Sequence, residues 1–567
     1  MTEAAAIRAR RLANVPAVAW GTRNAPLLCL AVGLIASGAV LIALGAHLTF
    51  YADEWEMVLW RHGLNADAIL DPHNDHIVVG VVIFYKLLLA TFGMSSPVPF
   101  HVGSTLIYLL AAILLFVYAR RCLGDWLAVH LTMPILFLGS ASGDLLSPFQ
   151  VGFSGAIAAG IGALLALDRD DHRWDLAACA LLVVSVSFGE AGIVFTIGAL
   201  VDVALGRRPW RERLYVVLVP LVLYGLWWLG WGYKAQSDLS LHNAANTPRY
   251  VLDVAAAGLA GLLGIASPGD QLPNSVGQQW PPYLLAAAVA LGAWRIRRVG
   301  GVPPGLWRVL AIGTTFWALA GLNQNPLRPP DNGRYIYPSA VLIVLIAAEL
   351  LRGVRLSTRA LLAVACAAAV AVVPNLLFLS DSYRLFWKPV NRLVRADLTA
   401  LEIAGPVNPS FLLTQDVSPA PFFNISAGTY LSAVDAWGSP AYTQSELASS
   451  PEGVREEADR VLGATLGLKL EPGKGTAGTC RTVRASPSGR TGVELGPGTV
   501  SFANPRGGAR AEVALRRFSD AFPIDAGTLK PGSHASLTIP ADASARPWHL
   551  GIEGHGPVSI CARHRLV

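Results

Sequence analysis

Apolar residues fill the chain in long blocks up to about residue 380 and then give way to short alternating stretches. The blocks lie at about 25–48, 77–93, 102–119, 127–141, 152–167, 174–188, 190–205, 214–232, 250–266, 282–294, 305–322, 337–351 and 359–379. The first, from Ala25 to Leu48, is long enough to cross a hydrocarbon core at about 1.5 Å per residue. No small-residue cleavage site follows it closely, so it reads as a retained anchor. Beyond Asp381, Pro, Gly and Ser become frequent. Stretches such as Ala511-Glu512-Val513-Ala514-Leu515 and Ser536-Leu537-Thr538-Ile539, set between Pro/Gly turns, predict strands there.

Basic clusters decide which blocks cross, because Lys and Arg in short loops prefer the cytoplasmic side. Arg8, Arg10, Arg11 and Arg23 are placed inside. The clusters Arg120/Arg121, Arg169/Arg173, Arg207 to Arg213, Arg295/Arg297/Arg298 and Arg352/Arg355/Arg359 then also fall inside, provided that 77–93 and 250–266 do not cross. Lys86 in the middle of the one, and Asp253 with several glycines in the other, suit segments that lie along the interface or re-enter. The stretch 174–205 is too long for one span and is predicted to fold into two short helices with Gly189-Glu190 at their outer end.

The result is an α-helical polytopic membrane protein of about eleven spans with a C-terminal extracytoplasmic, β-rich domain. Residues 1–24 are cytoplasmic. Residues 25–380 form the transmembrane domain, with a first external loop at 49–76 and a juxtamembrane segment at 77–93. Residues 381–567 form an α/β portion followed by a sandwich-like portion. The whole is an integral protein of the plasma membrane.

Composition agrees, with 53% hydrophobic and 14% charged residues. The net charge of +6 sits in short clusters between apolar runs, which reports topology and argues against nucleic acid as a partner. Richness in Ala, Gly, Arg and Pro with few Lys suggests a high-GC bacterial genome, such as an actinobacterial one. Cys29, Cys122, Cys179 and Cys366 lie in or beside apolar runs and read as small buried hydrophobes. Cys480 and Cys561 bracket the sandwich portion and would form a disulfide outside the cytoplasm.

On this map the unusual polar residues fall on one side, outside: the 47–76 loop, Asp144, Glu190, the loop 233–250 with Lys234, and the stretch 323–338. Such a one-sided collection suggests a cavity opening to the exterior. Asp53 and Glu54 stand within a few residues of the first helix's outer end, and an acidic pair at membrane depth beside aromatic residues is costly unless used. Trp55, Met57, Leu59 and Trp60 follow in a pattern that suits an interfacial helix, with Glu56, Asp67 and Asp71 as solvated acids. His73 and His76, at spacing three, would share one helical face with Asp75 beside them, a partial metal site. No second His or Cys cluster completes a zinc set, so hydrogen bonding to substrate is the favoured role.

The pattern Tyr51-Ala52-Asp53-Glu54-Trp55 resembles the acidic pair that GT-C membrane glycosyltransferases carry in their first external loop. The following PHNDHIVVGVVIFYKLLLATFG is similar to the proline-led juxtamembrane segment ending in Phe-Gly of many members. Asp144 in the second external loop and Arg334-Tyr335 before a late helix extend the likeness, which covers roughly residues 25–380. It implies transfer of a sugar from a polyprenyl-phosphate donor to a glycan, glycolipid or protein acceptor at the outer face of the bilayer.

In such a transfer the leaving group is already a weakly basic anion, so one carboxylate base for the acceptor hydroxyl suffices. An inverting displacement puts that base opposite the departing phosphate. Asp53 is assigned the base, Glu54 the orientation of loop or acceptor, and Arg334, with Tyr335, Tyr337 and Lys234 behind it, the phosphate. Asp144, Gln150 and Glu190 would bind acceptor hydroxyls. The resemblance also implies that a divalent metal, Mg or Mn, where a member uses one, is held by acidic residues of the first two external loops, here Asp53 and Asp144. Other members work without metal.

No phosphate-cradling Gly loop, Rossmann fingerprint, nucleophile elbow or paired CxxC occurs, which disfavours nucleotide-sugar donors. The alternative is a non-catalytic glycan-binding scaffold, with Trp548 and His549 as candidate sugar contacts, or a transporter. Inverted repeats and mid-membrane polar groups would mark the transporter.

Overall fold

The computed structural model describes residues 16–61, 63–206, 208–235, 237–265, 281–326, 328–418, 424–473, 478–486 and 489–562. Arg8, Arg10, Arg11, Arg207 and the last residue of the 250–266 block lie outside them. The chain divides into two compact units. The first comprises Met1–His47, Gly63–Leu87 and Val98–Phe386, and the second Leu48–His62, Leu88–Pro97 and Trp387–Val567. The division therefore falls at residue 387 rather than 381, and the second unit also takes in the stretch that carries Asp53 and Glu54.

The first unit is helical: α1 (Pro16–Gly45), α2 (Val79–Phe92, whose last turn belongs to the second unit), α3 (Val98–Leu123), α4 (Asp125–Leu136), α5 (Val151–Leu167), α6 (His172–Phe188), α7 (Ala191–Leu205), α8 (Tyr215–Gly230), α9 (Leu241–Leu262), α10 (Pro281–Val299), α11 (Pro304–Leu322), α12 (Gly333–Leu350) and α13 (Thr358–Ser382). Among the described residues six helices are long and apolar enough to cross a membrane: α1, α3, α5 with its preceding turn, α11, α12 and the helix that opens at Thr358. A bent pair, Asp125–Leu136 with Gly139–Leu146, makes a seventh. The expected eleven add α6, α7, α8 and α10, which fall short of that test in length or apolarity.

Burial separates helices that face protein from helices that face lipid. The apolar stretch of α5 is 78% buried, whereas that of α1 is 28% buried and exposes Val32 and Ile35. Apolar surface so extensive belongs in hydrocarbon rather than in water.

Two backbone approaches shape this unit. The stretch 174–205 breaks at Gly189-Glu190, and α7 turns back on α6 so closely that a Cβ on Gly192 would lie 2.2 Å from the Val186 amide nitrogen. Between α4 and the short helix Ser142–Leu146, a Cβ on Gly139 would meet the Asn375 carbonyl oxygen at 1.8 Å. Asn375 repairs the interrupted backbone. Its Oδ1 accepts from the Ser140 amide and hydroxyl, and its Nδ2 donates to the Gly261 and Ala371 carbonyls. Broken helix is tolerated at membrane depth where protein satisfies it in this way.

Ion pairs and hydrogen bonds gather the helix termini into two polar ends. At one end Arg308 Nη1 holds Asp168 (2.8 Å) and Asp202 (3.0 Å), Arg213 holds Asp175, and Arg352 holds Glu349, joining the turns α3/α4, α5/α6, α7/α8, α11 and α12/α13. At the other end lie the loop 63–78, the starts of α5, α7 and α9, and the loop 323–332.

The second unit opens with the helix α14 (Lys388–Ala404), packed on α16 (Glu452–Leu466), with α15 (Ala427–Trp437) and the pair β1 (Leu412–Leu413) and β2 (Ile425–Ser426) beside them. Nine further strands follow: β3 (Glu471–Pro472), β4 (Thr479–Ala485), β5 (Arg490–Leu495), β6 (Gly498–Ala503), β7 (Ala511–Arg516), β8 (Ile524–Leu529), β9 (His534–Ile539), β10 (Trp548–Gly554) and β11 (Gly556–Ala562). They form two sheets, ordered β5-β10-β7-β8 and β3-β9-β6-β11-β4, whose adjacent strands are antiparallel. Both strands predicted from alternation are present, as β7 and β9, with Val513, Leu515, Leu537 and Ile539 buried. Cys480 and Cys561, opposite each other on β4 and β11, are disulfide-bonded. Trp548 is fully buried under the Arg517 guanidinium, 4.1 Å from its ring centre, and so belongs to the sandwich core.

Candidate active site

At the second polar end of the first unit, Pro72 leads into a tight turn, His73-Asn74-Asp75-His76. Two backbone bonds close it, His73 N–H to His76 O (3.0 Å) and His76 N–H to His73 O (2.9 Å). Asn74 takes the left-handed conformation at φ 53°, which Asn tolerates and a helix does not. The two histidines therefore face each other across a turn and do not share a helical face. His73 packs on Phe149, with ring centres 4.9 Å apart.

The turn delivers Asp75 to Arg328, whose Nη1 and Nη2 donate to its two carboxylate oxygens at 3.0 and 2.9 Å. This is the two-pronged geometry in which guanidinium binds carboxylate most strongly. His76 stands between two acids, Nε2 at 3.1 Å from Asp75 and Nδ1 at 3.2 Å from Glu190. With both ring nitrogens facing carboxylates, the doubly protonated imidazole fits. Burial disfavours that charge, but Glu190 and then Asp75 outweigh it against the opposing Arg328, and hold the His76 pKa above its ordinary value. Burial likewise pushes the Asp75 carboxyl up, but the Arg328 hydrogen bonds and the His76 and Arg328 charges bring it below the usual range.

These shifts predict the pH dependence of the cluster. The His76 contribution is fully present below its unfolded value near 6.5 and is lost as pH rises through the raised folded value. The Asp75 contribution is present above its unfolded value near 3.8 and is lost as pH falls through the lowered folded value. The melting temperature of the detergent-solubilised protein should fall as pH rises from about 6.5 through the raised value, and His76→Gln should flatten that limb relative to wild type. An unaltered alkaline limb in the variant would remove His76 from this role.

The other candidates divide into groups. Lys234 donates to Asp71 Oδ1 at 2.7 Å on the exposed rim of the same end, and Trp231 Nε1 donates to Asp67. Gln150 follows Phe149 in the turn that starts α5, its backbone bonded to Ser147 O. Asp144 sits on the short helix after the Gly139 break, both carboxylate oxygens enclosed and without a hydrogen-bond partner among the described residues. The charge of Arg334 and the hydroxyls of Tyr108 and Tyr337 act on it electrostatically. Asn332 caps α12 by accepting from the Arg334 amide, and the Arg334 guanidinium has no ion-pair partner among the described residues. Tyr335 is buried against Tyr250 and Phe316.

In the second unit, Tyr51 to Trp55 form a turn in which Ala52 is held at φ 48°, a conformation that costs an L-residue about 1–2 kcal/mol. The Tyr51 amide donates to Glu54 Oε2 at 3.0 Å, and Glu54 is buried. Asp53 is half-buried, and its charge, after burial, pushes the Tyr51 hydroxyl pKa up. The expected interfacial helix is instead a five-residue π-turn, Glu56–Trp60. Trp55, Met57 and Leu59 are buried in it because Trp55 packs on Phe50 and Tyr430, and only Trp60 is exposed. Glu56 pairs with Arg61 at 2.6 Å.

Among the described residues no group of three or more His, Cys, Asp or Glu is arranged to hold a metal ion. Asp53 and Asp144 lie in different units, and no step is routed through a metal. The sequence reading overlooked Arg328. Its one local signal is the proline pair after it, Arg328-Pro329-Pro330, which stiffens the loop that presents it.

Fold and side-chain placement define a polytopic helical membrane protein with a C-terminal β-sandwich and a charged cluster at one end of its helical unit. No protein-family profile and no curated protein matches the chain. Among solved structures the chain is similar to ArnT from Cupriavidus metallidurans, crystallised bound to undecaprenyl phosphate, with a TM-score of 0.42 and 14% identity over 72% of this chain and 84% of that one.

Proposed function

We propose that the protein is a GT-C type membrane glycosyltransferase that moves a sugar, arabinose- or mannose-like, from a polyprenyl-phosphate donor to a cell-envelope acceptor at the external face, with inversion. Asp53 takes the proton from the attacking hydroxyl, Glu54 fixes the turn that carries it, and Arg334 is the guanidinium assigned to the departing phosphate.

The observation that carries this reading is a set of unpartnered polar groups in the first unit. Asp144 has two enclosed oxygens without partners, and Arg334 has no carboxylate, while Asp75, His76, Glu190 and Arg328 are mutually braced. A buried polar group left without a hydrogen-bond partner is costly and marks a place for a ligand to supply one. The acidic pair, in a strained turn just after the first long apolar helix, supplies the base.

The test is incubation of the purified full chain with a small panel of polyprenyl-phosphate sugars and a glycan acceptor, with and without chelator, reading release of the lipid phosphate. One donor should be consumed with release of its carrier. Capture of glycan without release from any donor would put the scaffold reading in its place.

A further inference from the structure

A cavity of about 560 Å³ opens at the arginine-bearing end of the first unit, lined by Arg121, Asp168, Arg169 and Arg352. It lies where α3, α5 and α12 end. Arg121 donates to the Leu165 carbonyl at 3.3 Å and stands 3.5 Å from Asp168, with 34% of its side chain exposed. Arg169 lies over the Trp174 ring at 5.0 Å and has no carboxylate partner among the described residues. Arg352 holds Glu349 at 2.7 and 2.9 Å yet leaves 45% of its side chain exposed.

The acids here are already neutralised from below. Buried Arg308 reaches Asp168, Asp202 and Glu349, while Arg213 and Arg208 hold Asp175. Five guanidiniums, those of Arg121, Arg208, Arg213, Arg308 and Arg352, thus meet four carboxylates, those of Asp168, Asp175, Asp202 and Glu349, and Arg169 meets none among the described residues. The cavity is lined by three arginines, Arg121, Arg169 and Arg352, and one acid, Asp168. Helix-terminal carbonyls account for one arginine contact, that of Arg121, and leave the open faces of Arg169 and Arg352 unexplained.

Depth identifies the ligand. Trp126, Trp174 and Trp307 stand half-exposed on the adjoining turns, the belt that tryptophan forms at the level of lipid headgroups. We propose that this cavity binds the phosphate of an anionic phospholipid, gripped by Arg121, Arg169 and Arg352. Basic pockets between transmembrane helices recognise such headgroups. The site is separate from sugar transfer and does not depend on it.

The test uses the full chain in phosphatidylcholine nanodiscs titrated with fluorescent phosphatidylglycerol, with inorganic phosphate as competitor. Arg121→Gln/Arg169→Gln spares the Arg352–Glu349 and Arg308 bonds, and its fold is checked by melting temperature. At about fivefold per guanidinium, affinity should fall about twenty-five-fold in the double variant. Unchanged affinity in the folded variant, or equal retention of phosphatidylcholine by the wild type, would overturn the proposal. Displacement of the lipid by equimolar inorganic phosphate would also overturn the lipid assignment and make the ligand a soluble anion. If the double variant does not fold, Arg169→Gln alone, which removes only the Trp174 stack, should bind about fivefold more weakly.

Discussion

Asp53→Asn should lower sugar transfer about a thousandfold, the mid-range value of a general base, while membrane insertion and melting temperature stay at wild-type levels. The carboxamide has nearly the same shape as the carboxylate but cannot take the proton, and the backbone bonds of the turn, Glu54 N–H to Tyr51 O and Trp55 N–H to Ala52 O, do not involve the side chain. Glu54 provides the contrast. Its buried carboxylate accepts from the Tyr51 amide at 3.0 Å, so Glu54→Gln weakens the turn and should show first in the melting temperature. The measurement is initial rate of lipid-phosphate release, wild type against variant, on the donor that the panel selects. Transfer by Asp53→Asn within tenfold of wild type would remove Asp53 from the base role.

Arg328→Ala should destabilise the first unit by about 3 kcal/mol, the low end of the cost of breaking a buried ion pair, because His76 still faces Asp75 at 3.1 Å. Asp75 keeps only 5% of its side chain exposed and Arg328 13%, so water replaces little of what is lost. The Arg328 backbone carbonyl, which the variant keeps, accepts separately from the Tyr250 hydroxyl at 2.8 Å. Denaturant unfolding of the single variants Arg328→Ala and Asp75→Asn, and of the double variant, separates the pair from its surroundings. The double variant should recover part of the Arg328→Ala loss, since no charge is then stranded. Strict additivity of the two losses would show that the pair is not coupled.

The helical blocks were legible because lipid forces every spanning segment to be apolar along its whole length. The break at Gly189-Glu190 was legible because 174–205 is too long to be one span. Partners distant in sequence were not. Trp55, Met57, Leu59 and Trp60 suit a surface helix, yet Tyr430, far along the chain, packs on Trp55, and the helix that carries it packs on the turn. Arg328 lies 253 residues from Asp75, and nothing near either residue announces the other. The histidine turn was misread because spacing three fits helix and tight turn alike, and Asn74 decides between them by adopting φ 53°. Asp144 and Glu190 were reached through topology, from which side of the bilayer their loops face. The His76 partner of Glu190 and the enclosed, unpartnered oxygens of Asp144 came only with the structure.

The Arg308 bonds have a consequence for biogenesis. A ribosome delivers Asp168 and Asp202 to the membrane well before it delivers the arginine that neutralises both, and Glu349 arrives last. Until Arg308 arrives, among the described residues Asp168 has only Arg121, at 3.5 Å, and Asp202 only Arg213, at 3.6 Å, longer pairs than those Arg308 makes. Entry of the Pro304–Leu322 segment then locks the earlier hairpins together. A nascent chain stalled before residue 304 should therefore be much more open to proteases and quality control than one released just beyond residue 352.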